Sequence, residues 1–331
     1  MWTHNGWGIG IDLDRDIVTK PAEEIVEEII LTAEDSLKTI KELFDEASLW
    51  EVGSNRKKVA WAKKAFLQRE MEAMQYICDK KLGTDKSLEL RLIETITKEY
   101  PDSIAPILLT KIDDENKKIQ KNAIRLLGVA KYKPAHYPLI EMLEDEKYDY
   151  LKRSLIGALG SIGNTDATGI ISGFLHDEDE LCRLSVIGAL KNIKDKTANE
   201  VLIKALDDKI FTVRSAVIIA IVDLADLNTS RVLYDRIKKE QFDYPELAVR
   251  TLSNIEHKFA DSTMVAYKKQ RKRSQKLFIR LIKNPDERIR AEAVKAIYSN
   301  CDKKKIEWLE DLMKEEKNPF VKAAYEEIIN K

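Results

Sequence analysis

The chain has 331 residues, of which 56 are basic and 57 acidic, for a formal net charge of −1. That balance supplies no global basic field to gather nucleic acid or an anionic membrane. Twelve glycines and eight prolines are too few for the many tight turns of an all-β fold. A mixture rich in Lys, Glu, Leu, Ile and Ala is expected to be helical throughout.

The first unusual string is Thr3-His4-Asn5-Gly6-Trp7-Gly8-Ile9-Gly10. It resembles the His-Asn-Gly and Asp-Gly-Trp-Gly-Ile strings of class II glutamine amidotransferases, whose nucleophile is an N-terminal cysteine. Position 2 here is Trp2, and no cysteine precedes Cys78. A phosphate loop is excluded too, since the Walker lysine and a surrounding strand–helix unit are missing. The string is therefore expected to be an arm with exposed aromatics, with Trp2 and Trp7 as candidate docking residues.

Residues 21–47 predict a long amphipathic helix opened by Pro21, with Val26, Ile30, Ala33, Leu37, Ile40 and Phe44 on one face. Gly53-Ser54-Asn55 breaks the pattern. A second long helix is predicted over 56–80, with Val59, Phe66, Met71, Met74 and Cys78 inward. Residues 1–82 thus read as an irregular arm followed by a helical hairpin that caps what comes next.

From residue 83 to 331 a period emerges. Ile119-Gln120, Leu151-Lys152, Cys182-Arg183 and Val213-Arg214 open successive apolar stripes about 31 residues apart. Leu88, Leu247, Ile289-Arg290 and Val321-Lys322 extend the register to about seven units. A second stripe precedes each anchor, as in Ile170-Ile171 to Leu175 and Val201-Leu202-Ile203 to Leu206. Each unit is then helix, acidic turn, helix, and neither helix can bury its stripe without its neighbours. Asp145, Asp177 and Asp208 stand where an N-cap is wanted.

An acidic turn, then Val-Arg-x-x-Ala/Val, then Ala-Leu-Gly resembles the short HEAT-like repeats first recognised in phycobilin lyases. The resemblance implies an all-α, right-handed α-solenoid whose inner helices line a concave surface. It also implies that Arg183, Arg214 and Arg290 belong to an interior Asp–Arg ladder and are structural.

The spacing stretches to 42 residues between Leu247 and Ile289, and the extra length is basic. Lys268, Lys269, Arg271, Lys272, Arg273, Lys276 and Arg280 crowd an expected insertion near 261–280. Insertions in solenoids commonly emerge on a binding face. These residues are the candidate site for nucleic acid or an acidic protein patch.

Other chemistry finds little support. Cys78, Cys182 and Cys301 form no CxxC pair, which argues for buried thiols in place of a disulfide or zinc framework. The four histidines are dispersed. HEAT-like deoxyhypusine hydroxylases carry His-Glu pairs for iron, and this sequence has no His-Glu dipeptide. HEAT-like alkylpurine DNA glycosylases pair a concave aspartate with tryptophans, yet residues 62–307 hold no tryptophan. No catalytic residue, metal or cofactor is expected. With no apolar run long enough for a membrane span and no signal peptide pattern, a cytoplasmic location is expected. The sequence favours a non-catalytic scaffold or adaptor for a protein partner. The alternative is a nucleic-acid-binding solenoid, glycosylase-like or a plain DNA or RNA binder, using residues 268–280.

Overall fold

The computed structural model describes residues 38–330, and every regular element among them is helical. Two compact units result, one ending at Ala73 and one beginning at Met74.

In the first unit, helix α1 (Ile40–Ala47) packs against α2 (Asn55–Leu67). Leu43, Phe44 and Ala47 of α1 and Val59, Ala62 and Phe66 of α2 are buried. The Phe44 and Phe66 rings meet edge to face at 5.5 Å. The long helix expected over 21–47 does not run unbroken to its end: a fresh helix starts at Ile40, and residues 21–37 lie outside the described residues. Thr39 has an extended backbone, its hydroxyl accepts from the Glu42 amide, and the Glu42 carboxylate accepts from the Thr39 amide. This reciprocal cap is worth about 1 kcal/mol and fixes the start.

The helix expected over 56–80 is also divided. It stops at Leu67, Glu70 takes a left-handed φ of 46°, and α3 (Met71–Tyr76) is followed by a π-helical turn over Ile77–Lys81. No glycine or proline marks that break, so the residue pattern carried no signal of it.

In the second unit the helices come in pairs. They are α4 (Ser87–Glu99) with α5 (Pro101–Leu109), α6 (Lys117–Val129) with α7 (His136–Glu144), and α8 (Lys152–Ile162) with α9 (Thr168–Gly173). Next are α10 (Glu180–Ile193) with α11 (Asn199–Lys204), α12 (Phe211–Leu224) with α13 (Leu227–Lys238), and α14 (Pro245–Lys258) with α15 (Val265–Leu281). The last are α16 (Glu287–Asn300) with α17 (Lys303–Glu315), and then α18 (Pro319–Ile329). First helices stack in chain order from α4 to α18, and second helices from α5 to α15 each pack on the first helix of the next pair. This two-layer stack is an α-solenoid. The anchors Leu151, Cys182, Val213, Leu247, Ile289 and Val321 are all buried between the layers.

The Leu-Gly ending of the repeat has a packing reason. A Cβ on Gly128 would stand 2.7 Å from the Ala158 Cα, and one on Gly160 would stand 2.5 Å from the Ala189 Cα. Glycine facing alanine lets α6, α8 and α10 approach more closely than any larger pair permits.

The turn aspartates need a correction. Asp145 does cap, accepting from the Lys147 amide at the start of a 3-10 turn. The cap of α10 is Asp179, and α12 starts after Ile210 with no side-chain cap. Asp177 and Asp208 sit upstream of those starts, accepting from the amides of Asp179 and Ile210. Their carboxylates are thereby aimed at the neighbouring pair.

Candidate interaction surface

The position after each anchor forms a ladder between pairs. Arg183 is 3% exposed and grips the Asp208 carboxylate with Nε at 2.7 Å and Nη2 at 3.1 Å. One pair earlier, Lys152 reaches Asp177 at 3.0 Å, and two pairs earlier Gln120 accepts from the Tyr150 hydroxyl. One pair later, Arg214 lies 3.8 Å over the Tyr244 ring, and three pairs later Arg290 approaches Glu316 at 3.9 Å. Each arginine also donates to a carbonyl of its own turn: Arg183 to Asp177, Arg214 to Asp208 and Arg290 to Asn284. These arginines are structural ties. The ladder lapses at Ala248, and Arg250 two positions on reaches forward instead, to Glu292 of the next pair.

Helix α15 follows that lapse. It has 17 residues, against six each for α9 and α11. The long spacing between Leu247 and Ile289 is absorbed by a longer second helix within the stack, which packs on α13, α14 and α16. Gln270, Ser274, Leu277, Phe278 and Leu281 face inward at helical spacing and are buried.

The seven expected site residues divide by this geometry. Lys268, Lys269, Lys272, Arg273, Lys276 and Arg280 are exposed. Arg271 is half-buried and donates to the Ala260 carbonyl at 2.9 Å and the Asn300 carbonyl at 3.4 Å. It clasps the turn after α14 to the turn after α16. Arg273 lies 4.6 Å over the Tyr234 ring and 3.8 Å from Asp235. Trp2 and Trp7 lie outside the described residues.

A cleft of about 430 Å³ opens beside α15. Lys268, Arg271 and Lys272 line it together with Phe259 and Tyr267, whose rings lie 4.6 Å apart and are tilted by 30°. Cys301 is also on its wall, with its thiol pushed up to about 11 by burial. Such a thiol stays protonated near neutral pH. Burial likewise pushes Cys78 and Cys182 up to about 12. Among the described residues no three potential metal ligands converge, and no helix is long and apolar enough to cross a membrane.

Charge follows the two kinds of turn. Turns between pairs are acidic, with Asp113-Asp114-Glu115, Asp177-Glu178-Asp179, Asp207-Asp208 and Glu315-Glu316. Turns within pairs carry Lys131 and Lys133, Lys194 and Lys196, Lys258, and Lys303 to Lys305. Several acids also stand on this edge: Asp195 caps with the Thr197 amide, Asp226 with Thr229 and Asp302 with Lys305, Asp166 accepts from the Tyr137 hydroxyl, Asp223 lies 3.9 Å from Lys191, and Asp261 is exposed. The Thr197 amide holds the Asp195 carboxyl below its usual range. This cationic edge escaped the sequence reading, although lysines just past the stripes of α6, α10 and α16 were its visible mark; the turns after α8 and α12 carry none.

A family model described as HEAT repeats matches residues 168–253 and 248–329. An engineered protein of known structure is similar at a TM-score of 0.41 and 15% identity, covering 91% of this chain and 96% of that one. The complex of CpcE and CpcF of phycocyanin lyase from Nostoc sp. PCC7120 is similar at a TM-score of 0.39 and 16% identity. That match covers 74% of this chain and 93% of that one. No curated protein sequence matches the chain.

Proposed function

Residues 168–329 belong to the HEAT-repeat family, and on that premise we propose that the chain is a non-catalytic interaction scaffold that binds an acidic segment of a protein partner. The observation that carries this reading is the outward face of α15. Lys268, Lys269, Lys272, Lys276 and Arg280 are exposed there, and none makes an ion pair among the described residues. Some cations elsewhere on the stack are matched, as in Arg250 with Glu292 and Lys295 with Glu327. A row of unmatched cations on one rigid helix attracts a polyanion at long range and releases it as salt rises.

A second reading is nucleic-acid binding, and one observation favours it. The Phe259 and Tyr267 rings beside Lys268 and Lys272 could give an unpaired base a stacking surface within a basic groove. The protein-partner reading rests on the near-neutral chain and on the concentration of seven cations within residues 268–280, where a duplex tracker would need a broader basic face.

The test is fluorescence anisotropy with an oligoglutamate peptide and a single-stranded oligonucleotide of equal charge, each titrated at several salt concentrations. The peptide is expected to bind more tightly. Reversing Lys268, Lys272 and Lys276 to Glu is expected to weaken it by at least about tenfold, because each surface pairing is worth up to about 1 kcal/mol. Peptide binding unchanged by the triple reversal would overturn the reading. Tighter, equally sensitive oligonucleotide binding would move the function to nucleic acid.

A further inference from the structure

We infer that the cleft at α15 is the last station of a longer binding track, and that the partner segment is an extended acidic polypeptide running along the cationic edge from the second helix pair to the seventh. This deepens the proposed function and rests on its reading of α15.

Three clefts lie on this edge, each between the within-pair turns of consecutive pairs. The first, of about 340 Å³, is lined by Lys133 and His136 on one side and by Gly163 to Thr165 on the other. The second, of about 470 Å³, lies between Lys191, Lys194 and Lys196 and the turn from Asp223 to Ala225. The third is the α15 cleft, between the turns after α14 and α16. They therefore join pairs two and three, four and five, and six and seven. All three offer cationic side chains at a rim open to solvent. Packed helices stand about 10 Å apart, so successive clefts lie about 20 Å apart. An extended chain advances about 3.3 Å per residue and needs about six residues to pass from one cleft to the next.

Backbone geometry supplies an independent observation. The position just past the first helix is left-handed in three consecutive pairs: Lys131 at φ 51°, Gly163 at φ 78° and Lys194 at φ 62°. Glycine takes that conformation freely, and the third pair uses it. Pairs two and four hold a lysine there, against the conformational preference of a side chain bearing a Cβ. Lys131 and Lys194 are exposed, so no packing contact explains the choice. Charge does: Lys194 lines the second cleft, and Lys131 stands in the same turn as Lys133, which lines the first. The His136 ring, 2% exposed with neither nitrogen hydrogen-bonded, lines the first cleft and offers a further polar group to a bound chain.

The experiment uses the full chain, oligoglutamate peptides of six and sixteen residues, and a sixteen-residue neutral peptide as a control. Four proteins are compared: wild type, Lys131→Gly/Lys194→Gly, Lys133→Gln/Lys196→Gln, and Lys268→Gln/Lys272→Gln. The longer peptide is expected to bind wild type at least about tenfold more tightly than the shorter one. Both edge variants should lose at least about threefold in affinity for the longer peptide and little for the shorter. The glycine variant should also melt higher than wild type, so weaker binding cannot be put down to a damaged fold. If the longer peptide binds the two edge variants as it binds wild type, the track is overturned while the α15 reading stands. If Lys268→Gln/Lys272→Gln binds both peptides normally, the α15 reading itself falls. A single-stranded oligonucleotide that outcompetes the longer peptide with the same variant pattern overturns the polypeptide as occupant.

Discussion

At the scale of single residues, the most consequential group is Glu256. It is 3% exposed, and its Oε1 accepts from the Ser230 hydroxyl at 2.5 Å and the Ser274 hydroxyl at 2.8 Å, tying α13, α14 and α15 together. Burial pushes its carboxyl above the usual range, against the pull of both serines and Arg271. A carboxyl raised in the folded state binds its proton more tightly there than in the unfolded chain. Its contribution is therefore fully present below the ordinary glutamate range and is lost as pH rises through the folded value. Glu256→Gln keeps the acceptor and removes the charge. It is expected to melt above wild type at pH 8, each kcal/mol showing as about 2–4 °C, with the gap closing near pH 4.5. A gap independent of pH would mean that charge burial is not the cause. Arg183 and Asp208 present the opposite case, a buried pair already satisfied on both sides. Arg183→Ala is expected to lose about 3–5 kcal/mol in chemical denaturation, because it strands the Asp208 carboxylate.

At the scale of elements, helix α8 tests the packing account within one turn. A Cβ at Gly157 meets nothing within 4 Å, whereas at Gly160 it meets the Ala189 backbone at 2.5 Å. Gly157→Ala is expected to stabilise by about 0.5–1 kcal/mol through helix propensity. Gly160→Ala gains the same propensity but must push α10 away, for a net loss of about 1–3 kcal/mol. Thermal denaturation of the two variants measures both, and equal shifts would refute the close-approach explanation. The same scale explains which helices the sequence foretold. Repeat helices were legible because their buried stripes recur. The helix start at Ile40 was written in Thr39 and Glu42 as a capping pair but was hidden under a continuous apolar stripe. The break at Glu70 left no residue mark at all, because the chain adopts a left-handed conformation there without glycine.

At the scale of the whole second unit, stability belongs to neighbouring pairs, because each pair touches only those beside it. Arg183→Ala should therefore speed amide exchange in α8, α10 and α12 while α16 and α18 keep their protection. Uniform loss of protection along the stack would show instead that it unfolds as one body. The same connectivity sorts charge. Turns between pairs concentrate acids on one edge, while the turns within pairs two, four, six and seven bring lysines to the other, so a net charge of −1 conceals an uneven distribution.

The sequence by itself determined the class of fold and its period, since each unit must bury two apolar stripes and that need is local and repeated. It also singled out the cations of residues 268–280 and the ladder arginines, whose spacing follows the helical repeat. Tertiary structure alone decided that the basic segment is a lengthened helix of the stack, that Arg271 clasps two turns, and that lysines from separate pairs share one edge with clefts between them. Those facts depend on how units stack. Residues about 30 to 60 positions apart in the chain become neighbours only when each helix has a layer to lie against.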